Sequence, residues 1–131
     1  STLSYLFDAE GYKKYGDDKL ILTSNGEQTL CSSAPFDWKA SKWTNYTGDA
    51  KFIFLLKHSN SKENIIREVN KEYIIKQIFY SNYIPFYLDN GVERNYKLLN
   101  NLLRNVLIYE YEFLPEKKSV HYLADFCEKH F

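Results

Sequence analysis

The residues able to do metal or acid–base chemistry are few and scattered. The three histidines are His58, His121 and His130. His121 and Asp125 stand four apart, which puts both on one face of a helix, and Cys127 and His130 stand three apart. Either pair supplies two metal ligands, whereas a structural zinc takes four and a catalytic zinc three. No second Cys/His cluster completes the set, so neither a metal nor a cofactor is expected. Glu110 and Glu112 alternate with Tyr109, Tyr111 and Phe113. That alternation reads as a half-exposed strand with its carboxylates on the solvent face, ahead of a glycosidase-like acid pair. Nothing resembles a phosphate loop, a dinucleotide-binding glycine fingerprint or a Gly-x-Ser-x-Gly elbow. With no nucleophile, ligand set or phosphate cradle in order, no catalytic residue is expected and the chain reads as a non-enzyme.

The elements that would position these residues follow from periodicity and turn chemistry. Lys19 to Thr23 reads as a strand, and Asn25-Gly26 predicts a type I′ hairpin turn leading into a return strand at Gln28 to Cys31. Ser32 to Pro35 is a connection, and Asp37 can cap a short helix carrying Trp38 and Trp43. Thr47-Gly48-Asp49 breaks that helix. Lys51 to Lys57 is a continuous apolar run between lysines, expected as a buried strand. After a turn at His58 to Ser61, Asn60 or Ser61 can cap the longest helix, whose stripe is Ile65, Ile66, Val69, Tyr73, Ile74, Ile75 and Phe79. Pro85 predicts an extended Tyr83 to Leu88. A turn at Asp89-Asn90-Gly91 leads to a second amphipathic helix over Val92 to Asn105, with Leu98, Leu99, Leu102 and Leu103 inward. Val106 to Leu114 reads as a strand ended by Pro115, and Ser119 can cap a helix running to Phe131. Mixed strands and helices predict an α+β fold. The expectation is one compact protein-interaction domain over 1–131, with a small mixed or antiparallel sheet, a hairpin near the N-terminus and two main amphipathic helices.

What remains distinctive is aromatic content: 12 Tyr, 9 Phe and 2 Trp in 131 residues. Tyr and Trp supply large contact area at low entropic cost and concentrate at binding hot spots, although they also fill cores. The N-terminal third places several of them in loop-like surroundings. Tyr12, Lys13, Lys14 and Tyr15 lie between Gly11 and Gly16, without core periodicity, and Phe36 and Trp38 flank a Pro-containing turn. The candidate partner-binding residues are therefore Tyr12, Lys13, Tyr15, Phe36, Trp38, Lys42 and Tyr46. Phe36 and Trp38 could equally plug the junction between hairpin and long helix, and Trp43 is expected in the core.

Seventeen basic residues balance seventeen acidic ones. Nucleic-acid-binding domains draw affinity from a basic excess, so direct nucleic-acid binding is not expected. Two cysteines far apart form no disulfide framework and fit a reducing compartment. No signal peptide or long apolar run is evident, so no membrane association is expected. The start at Ser1 and the absence of Met suggest a piece of a longer protein.

A family resemblance rests on block order. The blocks are Leu20-Ile21-Leu22, Lys42-Trp43-Thr44-Asn45-Tyr46, Phe52 to Leu56, a long helix, a second helix, and Val106 to Leu114 closing in Phe113-Leu114-Pro115. This order resembles the repeated module of the budding-yeast silent-information-regulator establishment family, over about Lys19 to Leu123. The resemblance implies a nuclear, non-enzymatic module that docks on the bromo-adjacent homology domain of the largest origin recognition complex subunit. It further implies recruitment of other silencing regulator proteins and transcriptional silencing at silent mating-type loci. No family contact residue is carried over to this chain. The competing readings are a bacterial immunity-type protein that binds a toxin, and a small nuclease using His121, Asp125 or the Glu110/Glu112 pair.

Overall fold

The strand β6 (Leu107–Phe113) organises the molecule, because its alternation gives each face a different job. The computed structural model describes residues 2–16, 18–34, 45–81 and 89–131, with side chains in the third stretch described through Ile78. Within them β6 is the middle strand of a mixed sheet, ordered β4-β6-β5. β4 (Phe52–His58) runs parallel to it, with Phe54 opposite Tyr109, and β5 (Ile65–Glu68) runs antiparallel, with Ile66 opposite Tyr111. Tyr109, Tyr111 and Phe113 face helices α1 (Thr2–Ala9) and α4 (Lys118–Lys129), where Leu3, Tyr111, Phe113 and Leu123 form a buried cluster. On the opposite face Ile108 packs with Ile74 and Ile75 of α2 (Lys71–Ser81) and Leu103 of α3 (Gly91–Leu103). A second, wholly antiparallel sheet contains β1 (Leu20–Ser24), β2 (Thr29–Ser33) and β3 (Thr47–Asp49) in that order. The fold is thus α+β, with four helices and two three-stranded sheets among the described residues.

Much of the aromatic content is spent on the face of the mixed sheet beneath α4. Phe52, Phe54, Tyr109, Phe126 and His130 form a chain of ring contacts with centroid separations from 4.0 to 5.9 Å. Offset and edge-to-face pairs at such distances add stabilisation beyond burial alone. Tyr111 is fully buried in this layer, and its hydroxyl donates to the Ser119 carbonyl at 2.8 Å. Burial raises that hydroxyl's pKa from the usual 10 to about 12. Beside it, Asn64 Oδ1 accepts from the Leu114 amide at 3.0 Å and lies 2.8 Å from the Ser119 hydroxyl. This polar knot joins the end of β6 and the start of α4 to the segment leading into β5. Thr29, also buried, ties the two halves together by donating its hydroxyl to the Leu102 carbonyl.

Several sequence expectations change. The long helix divides: Ile65–Glu68 is strand β5, and only Lys71–Ser81 is helical. Asn70 begins that helix, its side-chain oxygen accepting from the Glu72 amide at 2.8 Å. β-branched Ile65 and Ile66 suit either state, and pairing with β6 decides for strand. Ile66 and Ile74 therefore serve opposite faces of the sheet instead of one helical stripe. The hairpin turn is displaced by one residue. Gly26, at φ 93°, is its first central residue, Asn25 keeps a negative φ, and the Asn25 amide donates to the Gln28 carbonyl. Positive φ at the first central position alone meets the requirement of type II′, not type I′. Thr47–Asp49 forms strand β3, and the short helix it was expected to end lies outside the described residues. β4 is an edge strand with an exposed end, not a fully buried one. Leu98 is half exposed, and Ser119 lies buried inside α4 instead of capping it. Trp38, Trp43, Asp37 and the Tyr83 to Leu88 segment lie outside the described residues.

Candidate functional site

The end of α1 aims the first candidate residue. Gly11 adopts φ 85°, a left-handed conformation that glycine enters without penalty and that commonly terminates helices. The turn is closed by two hydrogen bonds, from the Gly11 amide to the Asp8 carbonyl at 3.0 Å and from the Tyr12 amide to the Phe7 carbonyl at 3.1 Å. The apolar contact that accompanies such caps is present as well. Tyr12 meets Phe7 edge-to-face at 5.0 Å. Tyr12 is thus held by backbone geometry and one ring contact while 46% of its surface stays in solvent.

The chain then crosses to the small sheet. Lys13 sets its ammonium 3.9 Å from the centre of the Tyr46 ring, a cation–π contact. Tyr15 packs against the same ring at 5.4 Å. Gly48 leaves the room this arrangement needs, since a Cβ there would come within 2.6 Å of the Tyr15 hydroxyl. Lys14 lies 4.8 Å from the Tyr5 ring. Between α1, this segment and the two sheets runs a groove of about 450 Å³. Leu3, Phe54 and Leu123 contribute its lining from the core side, and Leu20 and Leu56 from the rim. Leu20 and Leu56 are 49% and 51% exposed, so this part of the rim is apolar and half open to water among the described residues.

Of the residues proposed from sequence, the structure brings Tyr12, Lys13, Tyr15 and Tyr46 into one neighbourhood. Phe36, Trp38 and Lys42 lie outside the described residues. Sequence reasoning missed Leu20 and Leu56. The one signal available was that each sits in an apolar strand, and only the tertiary packing shows that its side chain reaches solvent.

The other chemistry-bearing residues go elsewhere. Glu110 is ion-paired with Lys57 and Glu112 with Arg67, so both carboxylates serve a charged sheet face. The bond to Glu110 pushes the Lys57 pKa up. His121 lies 3.5 Å from Glu10, which also binds Lys117, joining α4 to the end of α1. His130 stacks on Phe126 and His58 packs against Phe113. Burial pushes the thiols of Cys31 and Cys127 up. Among the described residues no three His, Cys, Asp or Glu side chains converge as metal ligands, and no helix is long and apolar enough to cross a membrane.

Comparison of the chain with family models, curated proteins and solved structures returns no match in any of the three.

Proposed function

We propose that this domain is a protein-docking module whose binding face is the groove between α1, β1 and β4. The observation that carries the reading is the solvent-facing apolar rim of Tyr12, Leu20 and Leu56, set over a lined depression and flanked by Lys13. Tyrosine anchors held in place before binding lose little entropy on docking, which is how a few residues come to dominate an interface. Flanking lysines would act mainly on association rate and specificity.

The partner follows from the family resemblance: the bromo-adjacent homology domain of the largest origin recognition complex subunit, with a role in establishing transcriptional silencing in the nucleus. The hairpin, the second helix and the closing β6 support the block order on which that resemblance rests. The long helix does not, being strand and helix here. The balanced charge agrees with a module that leaves DNA contact to its partner. A pull-down with immobilised bromo-adjacent homology domain tests the reading. Retention of the wild-type domain is expected, and failure to retain it at micromolar concentrations removes this partner.

A further inference from the structure

The geometry points to strand addition as the mode of docking: an extended segment of the partner pairs with the outer edge of β1 and drops an apolar side chain into the groove beside Leu20. This rests on the docking reading above and goes beyond it by naming the chemistry of the bound segment. The Asn25 amide donates to the Gln28 carbonyl, which sets the alternation of the hairpin ladder. Ile21 and Thr23 then bond inward to β2, and the backbone groups of Leu20, Leu22 and Ser24 point away from it. β1 ends the strand order of its sheet, and none of these outward groups has a backbone partner among the described residues.

Natural sheets blunt such edges with lysine, proline, a bulge, a very short strand or a covering helix or loop, and α3 comes beside β1 at its Ser24 end, away from Leu20. β1, with the sequence Leu-Ile-Leu-Thr-Ser, carries no charge and no proline, and it pairs with β2 in unbroken register. The β3 edge of the same sheet is only three residues long and ends in Asp49. The unprotected edge is also the one beside the groove, because Leu20 lines it. Across the groove stand Phe54 and Leu56 of β4, itself an edge strand. A strand laid along β1 would place every second side chain on the Leu20 face, with the one beside Leu20 over this depression and those nearer Ser24 toward α3. Backbone hydrogen bonds would supply affinity and the groove would select for an apolar residue beside Leu20.

The test is hydrogen–deuterium exchange of the full chain, free and saturated with the bromo-adjacent homology domain. Strand addition predicts that the amides of Leu20, Leu22 and Ser24 exchange fast in the free domain and slow at least tenfold in the complex. Leu22→Pro removes one outward donor at a position where an edge strand accepts proline, and should weaken binding more than Leu22→Ala. If Leu22→Pro does not fold, the wild-type exchange result decides alone. Binding with those amides still fast would overturn strand addition and leave the docking reading intact. No binding at all would remove both. Slow exchange at β1 without partner, in a chain that sediments as a dimer, would assign the edge to a second copy and overturn the inference.

Discussion

Replacing Gly11 with alanine adds one methyl group in open space, since a Cβ there meets nothing within 4 Å. The whole cost must therefore come from the backbone, held at φ 85°. A left-handed conformation costs an L-residue roughly 1–2 kcal/mol. Against a total stability of about 5–15 kcal/mol this is a measurable share. With a urea dependence of about 2 kcal/mol per molar, the denaturation midpoint should fall by about 0.5–1 M. Gly11→Asn should fall less, because asparagine tolerates the left-handed region. The substitution should also release Tyr12 from Phe7, so partner binding weakens more than global stability alone would explain. Urea unfolding followed by circular dichroism measures the first effect and calorimetric titration the second. A Gly11→Ala midpoint equal to wild type, with asparagine no better than alanine, would refute the reasoning, because no left-handed cap would then exist to hold Tyr12.

Other outcomes follow from the same structure. Asn64→Ala leaves the Leu114 amide without its acceptor and should cost about 1–3 kcal/mol in urea unfolding, and combining it with Ser119→Ala should cost less than the sum. Ile74→Ala, at a fully buried site, should cost about 2–5 kcal/mol by the same assay. Gly48→Ala should push the Tyr15 ring off Tyr46 and weaken partner binding in calorimetry, with circular dichroism unchanged. In an ultraviolet titration one tyrosine should ionise near pH 12 and vanish in Tyr111→Phe. Because that folded pKa lies above the unfolded value of 10, its contribution to stability is complete below pH 10 and is lost as pH rises toward 12.

Local signals read well wherever local chemistry decides. The two strands of the hairpin, the turn at Asp89-Asn90-Gly91 ahead of α3, and the alternation of β6 all depend on residues within one turn or strand. The errors lie where a distant segment decides. Ile65 and Ile66 fit a helical stripe until β6 offers them a ladder, and nothing within Thr47-Gly48-Asp49 announces the strand that pairing with β2 makes of it. Ser119 is an acceptable cap in isolation, but Tyr111 and Asn64 draw it inside. The candidate site was legible through Gly11 and the tyrosines around it, whose polar setting separates them from the core. Leu20 and Leu56 were not, because strand sequence does not reveal which side chains the packing of helices and sheets leaves uncovered.

The central claim is that the groove is the docking face, and one calorimetric titration tests it most directly. Wild type and a Tyr12→Ala/Leu56→Ala double variant are titrated against the bromo-adjacent homology domain, with circular dichroism confirming the fold. Loss of two rim anchors should weaken binding by about 2 kcal/mol or more, about 30-fold in Kd. A folded double variant that binds at wild-type strength would contradict the claim.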